Sequence, residues 1–493
     1  MGVLRWLAVC CILCTANAAQ PHDVTLRGEI GETDHQTYRL VPFDVPDGVR
    51  SLAVEFEYTG RDNKTAIDIG LIGPGDRFEE AFRGWSGGNK RTFTLSAHDA
   101  TPSYVPGPIT AGRWHLVLGV PNIRAGHTST YIATIRFERD ASNLPLPAPI
   151  DDQARWYRGD LHLHSGHSDG SCKSKSGAQR VPCPLFLTLD AAAERGLDFI
   201  AITEHNTNSH VRELTAVQPF FDRMLLIPGM EVTTFQGHAN AFNVTRPVDF
   251  RLGSEAVPDW NALLASLTKQ GAIVSINHPN VPSGERCMGC GWSPRLPVDF
   301  DLLTAVEVVN GHDVETSISG IPFWHEQLQK GVRLTAIGGS DTHDVTSDTI
   351  SPPAGRIGVP TTVVYAEELS TPAILEGIRA GRVFIDTAGS QDRVLTFSGR
   401  VGDRPVSMGD TVAAPNGTLL QWSIGVTNLP GGKIELIRDG VIAQKLPSAE
   451  IKGSDHRLQF EERSDGRRHW IRVNLRDRDG RLALIGNPIY LNR

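Results

Sequence analysis

The sequence predicts a mixed α/β protein in which a segment of alternating strands and helices, 155–390, lies between two β-rich segments, 20–145 and 391–493. Three observations predict it. Short alternating or apolar runs fill both flanks, bounded by Gly, Pro, Asp and Asn. The rhythm changes to strand and helix in turn between them. A Pro-rich stretch, "NLPLPAPIDD", marks a linker over 146–154. A chain of 493 residues also exceeds what one core normally spans.

The N-terminus reads as a leader. Arg5 precedes an apolar run, Trp6 to Cys14, and "TANAAQ" offers an Ala16-x-Ala18 cleavage pattern. Residues 1–19 are therefore expected to be a secretory signal peptide, and the chain to be periplasmic or secreted. The run is too short for a bilayer, which needs about 20 apolar residues, so no transmembrane anchor is expected. The next 120 or so positions carry "SLAVEFEY", "AIDIGLIG", "RTFTLSA", "WHLVLGV" and "TYIATIRFER", the pattern of a β-sandwich.

In the middle segment "DFIAITEHN" precedes "VRELTAVQPFFDR", "DWNALLASLTKQG" leads into "AIVSINHP", and "PFWHEQLQKG" into "RLTAIGGSDTH". Units of this kind imply a parallel sheet or a barrel. Several helical runs stop at Gly196, Gly271 and Gly331, as a C-cap would. Beyond 391 strands return in "LLQWSIGVT", "KIELIRDG", "HWIRVNLRD" and "RLALIGNPIYL", with "RDG" hairpin signals at Arg438–Gly440 and Arg478–Gly480. A second sandwich is expected there.

Composition narrows the class of function. With 40% hydrophobic and 21% charged residues the chain is an ordinary globular one, and its net charge of −8 with no basic run speaks against nucleic-acid binding. Of seven cysteines, four follow the leader: Cys172, Cys183, Cys287 and Cys290. Two disulfides are expected, with the local pairs Cys172–Cys183 and Cys287–Cys290 preferred among three pairings. The rival reading of "CMGC" is half a zinc site or a redox pair.

Chemistry concentrates in "RGDLHLHSGHSDGSC". If "DLHLH" is a strand, Leu161 and Leu163 face packing while Asp160, His162 and His164 share the other face, a bidentate clamp for a metal. The same residue types recur where other predicted strands end: Glu204 and His205 in "TEHN", Glu231 and His238 in "GMEVTTFQGH", His278 in "NHP", Asp341 and His343 in "GSDTH". Strand ends converge at the mouth of a barrel. "GHSDG" also fits the nucleophile elbow G-x-S-x-G, but the polar "SCKSKSGAQR" that follows is no helix, and Ser168 as nucleophile would leave the histidines unexplained. Asp169 serves better as a ligand.

Together "HLHSGHSDG", "TEHN", "GMEVTTFQGH", "NHP" and "GSDTH", in this order, resemble the motifs of the PHP (polymerase and histidinol phosphatase) superfamily over about half the chain, 155–390. "EGIRAGRVFI" and "ALIGNPIYL" are similar to the CehA/McbA-type metallohydrolases, the branch with carbaryl hydrolases. The resemblance implies a distorted (β/α)7 barrel with two or three divalent ions at its mouth. It implies that His162, His164, Asp341 and a bridging Glu231 hold one ion, that His238 and His278 complete a second with Glu231, and that Asp169, His205 and His343 hold a third. Imidazole and carboxylate suit Zn, Mn or Fe.

The expected function is an exported metal-dependent hydrolase using a metal-activated water, with Glu231, Asp341 and His343 at the reacting centre. Phosphoesters lead among substrates, because the ions outweigh the ligating carboxylates and attract anions; a carbamate, ester or amide hydrolase of the carbaryl type is the alternative. A non-catalytic protein binding glycan or envelope through its β-domains is the reading from another class. Arg356 in "AGRIG" and Arg286 in "GERC" are candidates for a substrate anion. Asp160, Glu204 and Asn206 could orient imidazoles or simply end their strands. His167, His210, His312 and His325 are expected to be ordinary histidines.

Overall fold

The computed structural model describes residues 24–88, 90–139, 148–284, 287, 289–346, 356–443, 446 and 449–492. The expected leader and Arg286 lie outside them. The chain forms two compact units, 1–146 and 147–493. Among the described residues no helix is long and apolar enough to cross a membrane.

In the first unit the strands are β1 (Val24–Ile30), β2 (Tyr38–Val45), β3 (Ser51–Tyr58), β4 (Ala66–Ile72), β5 (Phe82–Ser86), β6 (Thr92–Ser96), β7 (Gly112–Asn122) and β8 (Ser129–Glu138), with one helical turn, α1 (Phe78–Ala81). They make two four-stranded sheets, β1-β8-β3-β6 and β2-β7-β4-β5. Alternation decides what they bury: along β8, Tyr131, Ala133, Ile135 and Phe137 face a core with Phe56, Ile69 and Trp114, while their neighbours face out. Strand β2 was not legible in the sequence because Pro42 interrupts it. It lies at a sheet edge, where a missing N–H costs little.

The second unit carries the alternating segment: β9 (Arg155–Asp160), the small hairpin β10 (Ser171–Lys173) and β11 (Arg180–Pro182), α2 (Leu185–Glu194), β12 (Phe199–Ile202), α3 (Val211–Val217), β13 (Leu225–Thr234), β14 (Gly237–Phe242), α4 (Trp260–Lys269), β15 (Ile273–Ile276), β16 (Ala305–Asn310), α5 (Ile321–Lys330), β17 (Thr335–Gly339), β18 (Thr361–Ala366), α6 (Thr371–Arg379) and β19 (Val383–Asp386). Helix α4 starts where the Asp259 carboxylate accepts from Ala262 N, and α5 stops at Gly331 with φ of 92°. The remaining strands are β20 (Val394–Val401), β21 (Arg404–Ser407), β22 (Thr411–Val412), β23 (Leu419–Thr427), β24 (Lys433–Arg438), β25 (Val441–Ile442), β26 (Asp455–Arg463), β27 (His469–Arg476), β28 (Leu482–Gly486) and β29 (Ile489–Leu491).

One pairing path runs β17-β16-β15-β14-β13-β12-β9-β18-β19-β28-β27-β24-β25. Strands β9, β12, β13, β15, β16 and β17 point the same way; β14 and β18 run against them. The expected boundary near 390 thus falls between strands of a single path, since β28 pairs with β19. The C-terminal sheet β21-β20-β23-β26 packs on this continuation over Phe397, Trp422, Ile471 and Leu484, together with Val363 and Phe384 of the middle segment.

No closed sheet is found among the described residues, so the distorted (β/α)7 barrel expected from the sequence is not shown. The gap between β17 and β18 is spanned by side chains instead. Thr362 Oγ1 accepts from Gly338 N at 2.8 Å, and Asn487 bonds both Ala336 N and O, at 2.8 and 3.0 Å. Pro360, which lacks an N–H, occupies the space beside Gly338, where an added Cβ would lie 2.8 Å from its Cγ. At the strand C-termini the curl does meet: Asp341 N donates to His162 O at 2.9 Å and His164 N to Thr342 O at 3.0 Å.

Candidate metal centre

That meeting point is where the predicted ligands gather. Strand β9 ends at Asp160; beyond it Leu161 and Leu163 enter the core while His162 and His164, each 1% exposed, face the mouth. Glu231 on β13 and His238 on β14 come together because the two strands form a hairpin. Its register sets Asn240 opposite Glu231 and His238 opposite Thr233, on one face. His278 follows β15 with φ of 24°, and Asp341 follows β17 with φ of 53°. Such left-handed backbone is costly for residues other than Gly, and is typical of functional positions. Gly339 is obligatory here: a Cβ would lie 2.4 Å from His162 Cβ and 2.5 Å from Glu307 Oε1.

All nine predicted ligands fall into overlapping groups whose donor atoms lie within 4.8 Å of one another. One group is His162, His164 and Glu231; His162, His278 and Asp341 form another. Glu231, His238 and His278 make a third, and His164, Asp169, His205 and His343 a fourth. Glu231 is the hub. Its Oε2 lies 3.3 Å from His162 Nε2, 3.4 Å from His164 Nε2 and 2.9 Å from His205 Nδ1. Its Oε1 faces His238 Nδ1 at 3.2 Å and His278 Nε2 at 3.3 Å, and accepts from Asn277 Nδ2 at 3.0 Å. Asp341 Oδ1 stands 3.3 Å from His162 Nε2 and 3.2 Å from His164 Nε2.

These contacts leave polar atoms unsatisfied. His162 Nε2, His164 Nε2 and Glu231 Oε2 are all buried without a hydrogen-bond partner. Buried polar atoms normally have one, so this cradle of nitrogens and carboxylate oxygens fits divalent cations. Protonation tells the same story in the absence of an ion. Burial alone would push His162 down, yet Asp341, Glu307 and Glu231 hold it well above its ordinary value. Burial opposes ionisation of Glu231 and Asp341 too, and the surrounding imidazoles still hold both well below the carboxylate range. His164 is pushed down to about 4 by burial and by His343. At the rim, burial is outweighed in Asp169 by His343, His205 and His164, which bring it to about 2, and in His343 by Asp169 and Asp341, which raise it to about 9.

Supporting contacts orient the rings. Glu307, which the sequence reading missed, accepts from His162 Nδ1 at 3.0 Å and from the His278 main-chain N at 3.0 Å. The signal was present as one acid inside the apolar strand "AVEVVN". His205 Nδ1 meets Thr233 Oγ1 at 2.7 Å, and His343 Nδ1 donates to Asp341 O at 2.9 Å. Asn206, in the left-handed region, bonds Thr233 N and O at 2.9 Å each, which ties the His205 turn to β13. Asp160 and Glu204 do not face the nest. Asp160 accepts from the main chain at His162, Ser340 and Gly358, and Glu204 takes the hydroxyls of Ser165 and Ser168.

The serine alternative fails on geometry. Ser168 is bonded to Glu204, its neighbour His167 faces Ser209 and Glu213, and a strand rather than a helix follows. His167, His210, His312 and His325 stay outside the metal-ligand groups. Arg356 is exposed. Cys287–Cys290 is a disulfide, with its Cα atoms 5.5 Å apart. Cys172 and Cys183 are buried and free, which corrects the preferred second pairing: their hairpin sets Cys172 opposite Val181.

No family model matches the chain, and no curated protein does. Among solved structures it is similar to a two-domain protein from Bacteroides vulgatus ATCC 8482, named as containing a predicted PHP-like metal-dependent phosphoesterase. Identity is 20% and the TM-score 0.38, over 70% of this chain and 98% of that one. A Yersinia pseudotuberculosis-derived mitogen matches at 13% identity and a TM-score of 0.15, over 25% of this chain and 92% of that one. Both superpositions are too loose to carry an assignment of function.

Proposed function

We propose that the chain is a PHP-type metal-dependent hydrolase, a phosphoesterase first, acting outside the cytoplasm. The reading rests on one observation: His162, His164, Asp169, His205, Glu231, His238, His278, Asp341 and His343, spread over 182 positions of sequence, come together in overlapping ligand groups, and buried donor atoms of His162, His164 and Glu231 lack partners. The open curl at whose mouth they meet suits a distorted barrel completed by Thr362 and Asn487 rather than by a ladder.

Two or three divalent ions bound here would lower the pKa of a shared water and neutralise charge developing on the scissile group. The chain's own residues do the rest. Glu231 offers one oxygen to each side of the nest, and Asp341 faces the His162–His164 pair. Glu307 holds His162 so that Nε2 points inward. His343 and Asp169 form the partly exposed rim, where a substrate arrives and a leaving group is protonated. Trp6–Cys14 and the Ala16-x-Ala18 pattern support export.

The same nest would serve a carbamate or carboxylic ester, so the two substrate classes are assayed side by side. Purified protein is tested on p-nitrophenyl phosphates and on 1-naphthyl carbamate and ester. Chelation is expected to abolish phosphatase activity, and Zn²⁺ or Mn²⁺ to restore it. Turnover of the naphthyl substrates alone would move the assignment to the carbaryl type. Activity that survives exhaustive chelation would overturn the metal reading.

A further inference from the structure

We propose that Cys287 and Cys290, when reduced, form with His238 a thiolate metal site of their own beside the Glu231 nest, and that the observed disulfide is its closed state. The inference goes beyond hydrolysis and does not depend on it.

Three observations converge. The Sγ atoms of Cys287 and Cys290 and one ring nitrogen of His238 lie within 4.8 Å of one another. His238 is only 4% exposed and turns Nδ1 to Glu231 Oε1 at 3.2 Å, which leaves Nε2 buried and without a hydrogen-bond partner. A nitrogen so placed needs a partner, and the hub carboxylate is on the ring's other side. The cysteines are also held there by main chain. Gly289, with φ of 84°, presses on the β13–β14 turn so closely that a Cβ would lie 2.0 Å from Thr234 O. Ser293 N donates to Gln236 O at 3.0 Å, and Cys290 O is the partner of His278 Nδ1 at 3.2 Å. Reduction therefore leaves two thiols beside a buried imidazole.

The donor set chooses the ion. Two thiolates and an imidazole are softer than the imidazole and carboxylate donors of the nest, and a C-x-x-C pair plus histidine gives the three protein ligands of a zinc site with one open position. The chemistry balances with an external dithiol. It breaks the S–S bond through a mixed disulfide, leaves as its own disulfide, and delivers two electrons and two protons to the cysteines. Binding of a divalent ion then expels both thiol protons to solvent as two metal–sulfur bonds form. Cys287 is half-buried and Cys290 buried, so attack by the dithiol falls on Cys287.

The test uses the full chain, oxidised or reduced with a dithiol and then freed of it under nitrogen. Co²⁺ is added as the probe. The reduced protein is expected to show a near-ultraviolet sulfur-to-cobalt band and about one further ion per chain than the oxidised protein. The band should weaken in Cys287→Ser and in Cys290→Ser and vanish when both substitutions are combined. A band that persists undiminished in the double variant would assign the sulfur to Cys172 and Cys183 and overturn the proposal; so would a reduced protein with no band. A second measurement needs no variant: Zn²⁺ should protect Cys287 and Cys290 of reduced wild-type protein from iodoacetamide, read by peptide mass spectrometry. Equal alkylation with and without Zn²⁺ would likewise overturn it. Loss of hydrolysis with the band intact would count against the proposed function alone.

Discussion

The two ends of the ligand nest differ in how they are enclosed. Around Glu231, the side chains of His162, His164, His238 and His278 are no more than 6% exposed, whereas at the rim Asp169 is 59% exposed, His343 30% and His205 27%. A buried carboxylate among buried imidazoles has no solvent to fall back on and must be neutralised by an ion or by protons. A rim carboxylate can be solvated. The inner groups are therefore expected to hold ions tightly and to fail abruptly when altered, while the rim exchanges its ion and tolerates change.

Substitutions probe the two ends in turn. Glu231→Gln should have the largest effect, a loss of activity beyond about 100-fold with depletion of the inner ions, since it exceeds what supporting groups contribute; metal content by elemental analysis and kcat/KM together check it. An unchanged ion count would remove Glu231 from its place as hub. Next comes Glu307→Gln, expected to weaken metal affinity by about 10- to 100-fold through His162 while saturating metal restores much of the rate. A rate that excess metal cannot recover would mean that Glu307 does more than position. Asp169→Asn should be milder, within about 10-fold, with only the rim ion lost. Equal damage from Asp169→Asn and Glu231→Gln would erase the distinction between the two ends.

The pH response separates the ion-loaded and ion-free states by sign. In the ion-free protein His343, raised to about 9, contributes stability that is present below its ordinary value of ~6.5 and lost as pH rises through 9. Asp169, depressed to about 2, contributes stability present above its ordinary ~3.9 and lost as pH falls through 2. The contribution of this rim pair to ion-free stability is thus expected to be greatest between about pH 4 and 6.5, set against His164, which burial pushes down to about 4 and which withdraws stability as pH falls below ~6.5. The ion-loaded protein should behave oppositely over that range, gaining stability towards neutral pH because protons compete with the metal for imidazole. Parallel thermal melts in chelator and in Zn²⁺ check this, and parallel curves would contradict it. The smallest effect is expected from Ser168→Ala: a change within about 2-fold in turnover, as for a substitution outside the machinery. A collapse of turnover would revive the serine reading.

Much of this was legible before any coordinates. Alternation in "DLHLH" put two imidazoles on one face, and the recurrence of acid and histidine at strand ends marked a shared mouth. The helix stops at Gly196 and Gly331 and the "RDG" hairpin at Arg438–Gly440 also read correctly, with φ of 51° and 87° at Asp439 and Gly440. Such signals are local, so a single strand or turn carries them. What escaped was non-local. Glu307 looked like one acid in an apolar strand until His162, 145 positions earlier, was seen against it. Cys172 and Cys183 looked like a pair until the hairpin register set them two residues apart.

The sequence by itself determined which residue types stand at each strand end, and hence that the chain carries groups compatible with divalent ions. Only the tertiary structure decided that β14 runs backwards to bring His238 beside Glu231, that the sheet curls without a closing ladder, and that its path continues into the C-terminal strands. The physical reason is that side-chain alternation repeats every two residues and is written in the chain. Which strand lies beside which is settled by the summed packing of the whole sheet.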